Sequence, residues 1–179
     1  GNDSDVVFTV TTGNLTVSSG SGLYLWGSDT FQPGGTVTTS PSSTASGSSG
    51  DVVIASGATF DINSNALSVG GDFDNSGSFS RSIPHTTTFT ATGTGFGIDL
   101  GGTYFDDVVF NGSGGGWSFT TTGNMNGDLT MTAGTLSGTA DIYVDDHVTG
   151  NGTINLTGGT FQVDNANNNF GGDTGWTFY

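Results

Sequence analysis

Apolar and polar side chains alternate in short runs along most of this chain. Typical runs span residues 15–17, 67–69 and 129–131, each with two apolar side chains flanking one polar side chain. Period-two alternation of this kind is the pattern of a half-buried β-strand. Clusters of Gly, Ser and Asn, such as residues 18–20 and 150–152, separate the runs and set the strand centres about 5 to 12 residues apart. The pattern therefore predicts many short strands.

Internal repeats indicate how these strands are arranged. Residues 67–79 match residues 142–154 without a gap, at an offset of 75, and residues 50–60 resemble residues 127–136. Residues 13–23 form a third copy of that second unit. Repeats that cannot bury a face alone are expected to stack on one another. We therefore predict an all-β, parallel β-helix-like solenoid of short strands.

Composition supports a folded β protein and bounds its organisation. The 179 residues include 33 Gly and no Glu or Lys, so the best helix formers are missing, while 32% are hydrophobic and 11% aromatic. We expect a single β-solenoid domain over residues 1–179, with a low-complexity loop at about 38–50. The alternative is a pilin-like antiparallel β-sandwich, in which residues 6–10 would act as a donor strand.

Charge excludes several kinds of partner. The formal net charge is −15 and Arg81 is the one basic residue besides two His. Nucleic acid and anionic membranes require positive charge, so we expect neither as a partner. No run of about 20 apolar residues is present, which predicts no membrane insertion. The chain has no Cys, so packing and backbone hydrogen bonds must supply its stability.

Three segments carry a resemblance to known proteins: GDLTMTAGTL at 127–136, VVFNGSGGGW at 108–117 and GGDTGWTFY at 171–179. They resemble the Gly/Thr/Asn/Asp-rich repeats of large β-solenoid proteins of prokaryotic cell surfaces, which are adhesin-like or filament-forming. The resemblance implies a parallel β-helix with a scaffold role. It also implies a secreted protein, located outside the cell or on its surface.

The two ends of the chain look like parts of one repeat. Internally, residues 103–105 run directly into residues 106–110, whereas the chain begins with a segment like the second and ends with one like the first. We therefore expect head-to-tail assembly into a homopolymer, by strand addition at an open end. The expected polymer interface consists of Val6, Val7, Phe8, Val10, Trp176, Phe178 and Tyr179.

Catalytic groups are poorly represented. The acidic pairs at 106–107 and 145–146 are adjacent in sequence, so in a strand their members point to opposite faces and cannot share a substrate. His85 and His147 are the two imidazoles, and neither a Ser in a GxSxG setting nor a Cys is present. We expect a protein that is not an enzyme.

Exposed aromatic side chains would allow a second function, that of a carbohydrate-binding or adhesive surface module with glycans as partners. The residues considered for such a platform are Tyr24, Trp26, Trp117, Tyr143 and Trp176. Most of them alternate with Phe or Leu, which favours a core position.

Calcium is the one cofactor for which the sequence offers ligands. Residues 72–77 begin like a DxDxSG loop, which makes Asp72 and Asp74 calcium candidates, but Ile83 stands where a bidentate Glu is needed. Runs of Thr also raise the question of an ice-binding face. Such a face needs outward Thr at the same place on successive turns, and the uneven spacing of the repeats predicts that they would not align.

Overall fold

The computed structural model describes residues 9–10, 13–28, 30–164, 170–172 and 176, and of residues 9, 10 and 172 the backbone alone. These residues form short strands and no helix. In chain order the strands are β1 (Thr9–Val10), β2 (Leu15–Val17), β3 (Leu23–Leu25), β4 (Thr30–Pro33), β5 (Val37–Thr39), β6 (Val52–Ile54), β7 (Thr59–Asp61), β8 (Leu67–Val69), β9 (Phe73–Asn75), β10 (Ser78–Ser80), β11 (Thr86–Phe89), β12 (Thr94–Asp99), β13 (Asp107–Phe119), β14 (Gly123–Met125), β15 (Leu129–Gly138), β16 (Ile142–Val144), β17 (Val148–Gly150), β18 (Thr153–Leu156), β19 (Phe161–Val163) and β20 (Phe170–Gly172).

Every ladder between these strands is parallel, and the strands stack into a β-solenoid of about seven turns. The first turn contains β1 to β3, the second β4 to β6, the third β7 to β9 and the fourth β10 to β12. The fifth contains β13, the sixth β14 and β15, and the seventh β16 to β18, while β19 and β20 begin the eighth. The predicted all-β solenoid is confirmed, and the antiparallel sandwich is excluded.

Each turn contributes to three faces. The first face holds β1, β4, β7 and β10, and then β14, β16 and β19. The second face holds β2, β5, β8 and β11, the first parts of β13 and β15, and then β17 and β20. The third face holds β3, β6, β9 and β12, the last parts of β13 and β15, and β18. Long strands such as β13 therefore bend around the corner between two faces.

Register keeps equivalent residues in columns. Leu67, Thr87, Val108, Leu129 and Val148 pair in succession on the second face, so a regular turn takes 19 to 21 residues. Outward residues on the same strands form a parallel column of mostly hydroxyl side chains: Thr16, Thr38, Ser68, Thr88, Val109, Thr130 and Thr149. The expectation that uneven spacing would scatter the Thr was wrong, because the extra residues lie at corners and leave the strands in register.

That hydroxyl column is one residue wide. The residues beside it at the corner include Asp107, Asp128 and His147, which directly precede the paired strands. A single column bordered by charged side chains is a hydrated strip and not the broad, uncharged Thr array that an ice-binding face needs.

The core is a continuous axial stack of inward side chains. Inward residues of the second to seventh turns, such as Val37, Ile54 and Leu129, are completely buried. Aromatic rings continue the stacking from turn to turn: Phe31 lies 5.5 Å from Phe60 between ring centroids, and further pairs join Phe79, Phe89, Phe105, Phe110 and Trp117. Since each turn covers the next, burial depends on stacking and not on any one turn.

Residues 40–51 form the connection between β5 and β6 at the corner of the second and third faces. The predicted loop at 38–50 began two residues too early, since Thr38 and Thr39 belong to β5. The connection is held to other turns: the Ser42 N–H donates to the Gly70 carbonyl at 2.7 Å, and the Gly50 N–H donates to the Ser21 carbonyl at 2.9 Å.

Thr39 anchors this connection from inside. Its side chain is completely buried, and its hydroxyl donates to the Gly50 carbonyl while accepting the Gly70 N–H at 2.8 Å. One hydroxyl thus joins β5, the connection and the third turn.

Candidate functional site

Aspartate and asparagine side chains occupy equivalent positions at the corners of the solenoid, directly before the first inward apolar residue of a strand. Each accepts a backbone N–H from the turn that follows. The bonds, which we call the corner acceptors, are Asn14 to Thr36 (3.1 Å), Asp51 to Asp72 (2.9 Å), Asp72 to Gly97 (2.7 Å), Asp107 to Asp128 (2.9 Å), Asp128 to His147 (2.9 Å) and Asp141 to Thr160 (2.7 Å). Where the chain changes direction the strand ladder ends, so a side chain supplies the acceptor that the N–H needs.

The corner acceptors explain the internal repeats. The units at 13–17, 50–54 and 127–131 each contain Gly, then Asn or Asp, then apolar residues two apart. The structure puts their strands on the second, third and second faces respectively. The 75-residue match likewise pairs β8 of the second face with β16 of the first. The repeated unit is therefore a corner followed by a strand, and not a complete turn.

The two calcium candidates lie together on the third face. Asp74 is an exposed residue of β9 that pairs in register with Asp99 of β12, and Asp72 lies beside them. With Phe73, Gly95, Gly97 and Thr120 they line an open groove of about 250 Å³. Sequence reasoning missed Asp99, because only the register of β9 and β12 brings it to the groove.

The carboxylates of this groove already have protein donors. Asp72 accepts the Gly97 N–H, and Asp99 accepts both the Gly101 N–H and the Thr121 hydroxyl at 2.9 Å. Burial is the main cause that raises the pKa of Asp72; the Gly97 bond opposes this, and the charge of Asp74 adds to it. The groove is acidic, but its oxygens serve the turns that surround it.

A different group brings metal-ligating atoms closer together. Asp128, Asp146 and His147 each offer one ligand atom, and these atoms lie within 4.8 Å of one another. Asp128 precedes β15 in the sixth turn, while Asp146 and His147 precede β17 in the seventh. No sequence motif joins them, because residue 128 and residues 146–147 meet only through the pairing of Leu129 with Val148.

The acidic pair at 106–107 is divided between two corner roles. Asp106 is 8% exposed, and its carboxylate accepts the His85 backbone N–H at 3.1 Å. Asp107 is a corner acceptor for Asp128. Both carboxylates thus hold backbone groups of neighbouring turns.

The single Arg and one of the two His lie near this pair. The Arg81 guanidinium stacks on the Tyr104 ring, with Cζ 3.6 Å from the ring centroid, and donates to the Thr103 hydroxyl at 2.9 Å. The side chain of His85 is buried, neither of its ring nitrogens forms a hydrogen bond, and burial lowers its pKa to about 4. The imidazole is therefore neutral at physiological pH.

The aromatic residues considered for a sugar platform divide between core and surface. Trp117 is buried, and Tyr143 and Trp176 are partly buried. Trp26 is 63% exposed and Tyr24 is 37% exposed, both at the end of the solenoid formed by the first turn. The Tyr24 hydroxyl donates to the Asp51 carboxylate at 3.4 Å.

Most of the expected polymer interface lies outside the described residues, namely Val6, Val7, Phe8, Phe178 and Tyr179. Val10 belongs to β1 and pairs with Pro33 in the second turn. The Trp176 indole N–H donates to the Gly152 carbonyl at 2.9 Å, and its ring packs edge-on against Phe170. These two residues therefore contact their own solenoid.

The inward apolar residues are less buried at both ends of the described solenoid than in its interior. Leu15, Leu23 and Leu25 in the first turn are only partly buried, as are Phe161 and Val163 in the eighth. Their equivalents one turn inward are buried almost completely, as in Val37 and Val144. Each end thus presents a cross-section of the core.

Comparison with known proteins yields no family model, no curated protein and no solved structure that matches this chain. None of the described residues belongs to a helix long and apolar enough to cross a membrane. The class of the protein, a parallel β-solenoid, therefore rests on its own geometry.

Proposed function

We propose that this chain is a structural subunit of an extracellular filament or surface appendage, in which solenoids join head to tail through their first and last strands. The supporting observation is that the parallel ladder and the apolar core are open at both ends of the described solenoid. The matching cross-sections favour a second copy of the chain as the occupant of each end.

Strand polarity supports head-to-tail joining. At the first turn, the Leu15 N–H donates to the Thr36 carbonyl in the second turn, and the Ser40 N–H donates to the Val17 carbonyl. Backbone groups of a strand point alternately to its two neighbours, so the Thr16 N–H and carbonyl point away from the second turn.

The same alternation holds at the other end. The Ile142 N–H donates to the Thr160 carbonyl, and the Asp164 N–H donates to the Val144 carbonyl. The Val163 N–H therefore points away from the seventh turn. Both ends offer parallel strand edges of one polarity, and a second solenoid in the same orientation could extend them.

Edge substitutions test this proposal. Thr16→Pro and Val163→Pro each remove an outward N–H without removing a ladder bond inside the chain. The controls Thr16→Val and Val163→Ala keep the N–H. We expect the wild type and both controls to form filaments, seen by negative-stain electron microscopy, and each Pro variant to remain a monomer in analytical ultracentrifugation.

Mixing the two Pro variants adds a sharper readout. Each variant keeps one intact end, so an equimolar mixture should form heterodimers and nothing longer. A Pro variant that fails to fold is recognised by circular dichroism, and the mixture then gives no dimer. The proposal is overturned if the folded wild type remains a monomer over a wide concentration range, or if folded Pro variants still form filaments.

A second candidate function is adhesion to carbohydrate, favoured by the exposed Tyr24 and Trp26 beside the Asp51 carboxylate. Aromatic faces stack on sugar rings, and a carboxylate can accept their hydroxyl groups. A glycan array with the soluble monomer tests it: specific binding that Trp26→Ala abolishes would support adhesion, and the absence of specific binding would refute it.

A further inference from the structure

The geometry points to a divalent transition-metal site formed by Asp128, Asp146 and His147 at the corner between the first and second faces, with Zn²⁺ as the ion that best fits its donors. This inference does not depend on the proposed assembly into filaments. It also concerns residues other than the two calcium candidates of the third-face groove.

Three donors converge because two turns stack in register. Leu129 pairs with Val148, so the residues before them, Asp128 and His147, lie one above the other. The Asp128 carboxylate accepts the His147 backbone N–H at 2.9 Å, which fixes the backbone of one donor against the side chain of another. Asp146 lies beside them, with a carboxylate oxygen 3.4 Å from the His147 Nδ1.

The spacing fits a bound ion. One ligand atom from each residue lies within 4.8 Å of the other two, which is within the reach of a single central ion. Zinc binds carboxylate oxygen and imidazole nitrogen at about 2.0 to 2.2 Å and accepts three protein ligands with water as the fourth. A surface corner leaves room for that water.

The donor set also selects the class of ion. Two carboxylates with one imidazole suit zinc and its neighbours among the divalent transition metals, whereas calcium takes six to eight oxygens. The groove of Asp72, Asp74 and Asp99 offers oxygen donors alone, so it serves as an internal contrast. A formal charge of −15 attracts cations to both places, and only the corner offers a nitrogen.

A metal here would join the sixth turn to the seventh. Asp128 belongs to one and the other two ligands belong to the next, so the ion would crosslink adjacent turns through side chains. Binding to the folded chain alone raises its apparent stability in proportion to the logarithm of the metal concentration.

Two histidines make the test direct. In the full chain, titration with Zn²⁺ followed by NMR of the imidazole nitrogens should shift the His147 signals and leave those of the buried His85 unchanged. Isothermal titration calorimetry should show one Zn²⁺ site, with affinity lowered roughly tenfold or more in His147→Gln and in Asp146→Asn. Calcium should not compete at equal concentration.

Two further variants separate a metal site from general attraction of cations. Asp128→Asn keeps an oxygen that can accept the His147 N–H, as Asn14 does for Thr36, and should still weaken Zn²⁺ binding. Asp74→Asn removes the same charge from the groove and should leave the affinity unchanged. The inference is overturned if Zn²⁺ does not shift His147, if Asp74→Asn weakens binding as much as Asp146→Asn, or if His147→Gln binds Zn²⁺ as the wild type does.

Discussion

Asp51 allows the role of the corner acceptors to be measured. Its side chain is 6% exposed and its Oδ1 accepts the Asp72 N–H at 2.9 Å. Burial is the main cause that raises the pKa of Asp51; the bond from Asp72 opposes it, and the charge of Asp72 adds to it. The position needs an oxygen, but the negative charge there is unfavourable. Asp51→Asn and Asp51→Ala separate these two properties.

The two substitutions should differ clearly in stability. Asp51→Ala leaves the Asp72 N–H without its acceptor, and an unsatisfied buried donor costs about 1 to 3 kcal/mol. Asp51→Asn keeps an acceptor oxygen, as Asn14 shows at the equivalent position, and removes the buried charge. We therefore expect the Asn variant to be as stable as the wild type or more stable at pH 7.

The pH dependence gives a second check with a defined sign. Because the folded-state pKa of Asp51 lies above the unfolded value of 3.8, the folded chain binds more protons in that interval. The wild type then loses stability as the pH rises through the interval, and the Asn variant does not. The advantage of Asp51→Asn should therefore grow from pH 3 to pH 7.

Urea unfolding gives the free energies, and amide hydrogen exchange at Asp72 gives the local effect. Exchange at this amide should be roughly tenfold faster or more in Asp51→Ala, since 1.4 kcal/mol corresponds to a factor of ten. It should be unchanged in Asp51→Asn. Equal destabilisation by both substitutions would refute the reasoning, because it would mean that the charge and not the acceptor holds the corner.

Three further predictions concern single buried groups. His85→Phe should flatten the stability profile between pH 6.5 and about 4, where the wild type loses about 3 kcal/mol on acidification because the unfolded chain takes up the proton first; equal slopes in urea unfolding would contradict this. Thr39→Val should lower the unfolding free energy by about 2 kcal/mol or more, whereas Thr38→Val on the outward side should change it little, as measured by thermal unfolding. Gly112→Ala should destabilise severely because its Cβ would overlap a backbone carbonyl of the preceding turn, whereas Gly158→Ala meets only ordinary contacts and should express and melt like the wild type.

Local pattern was sufficient to predict the strands. The alternation at 67–69 and 129–131 follows from the opposite directions of successive side chains in a strand, and it requires no knowledge of the neighbours. Stacking followed from repetition, because strands this short cannot bury a core alone. The Gly-Asn and Gly-Asp units were also visible, although their role at corners was not.

Contacts between distant parts of the chain could not be obtained in this way. Asp74 was selected from a loop motif, but its neighbour Asp99 reaches the groove only through strand register. The corner group of Asp128, Asp146 and His147 has the same origin. Such pairings depend on the number of residues in each turn, and insertions such as residues 40–51 change that number without changing the local pattern.

The sequence by itself therefore determined that the opening prediction of short, alternating strands leads to an all-β solenoid, because side-chain period and repetition are local properties. The tertiary structure decided which face each strand occupies, which carboxylates hold a corner and which donors converge. The physical reason is that corners absorb variation in length while the hydrogen-bonded ladders keep the strands in register, so only the stacked turns define which residues meet.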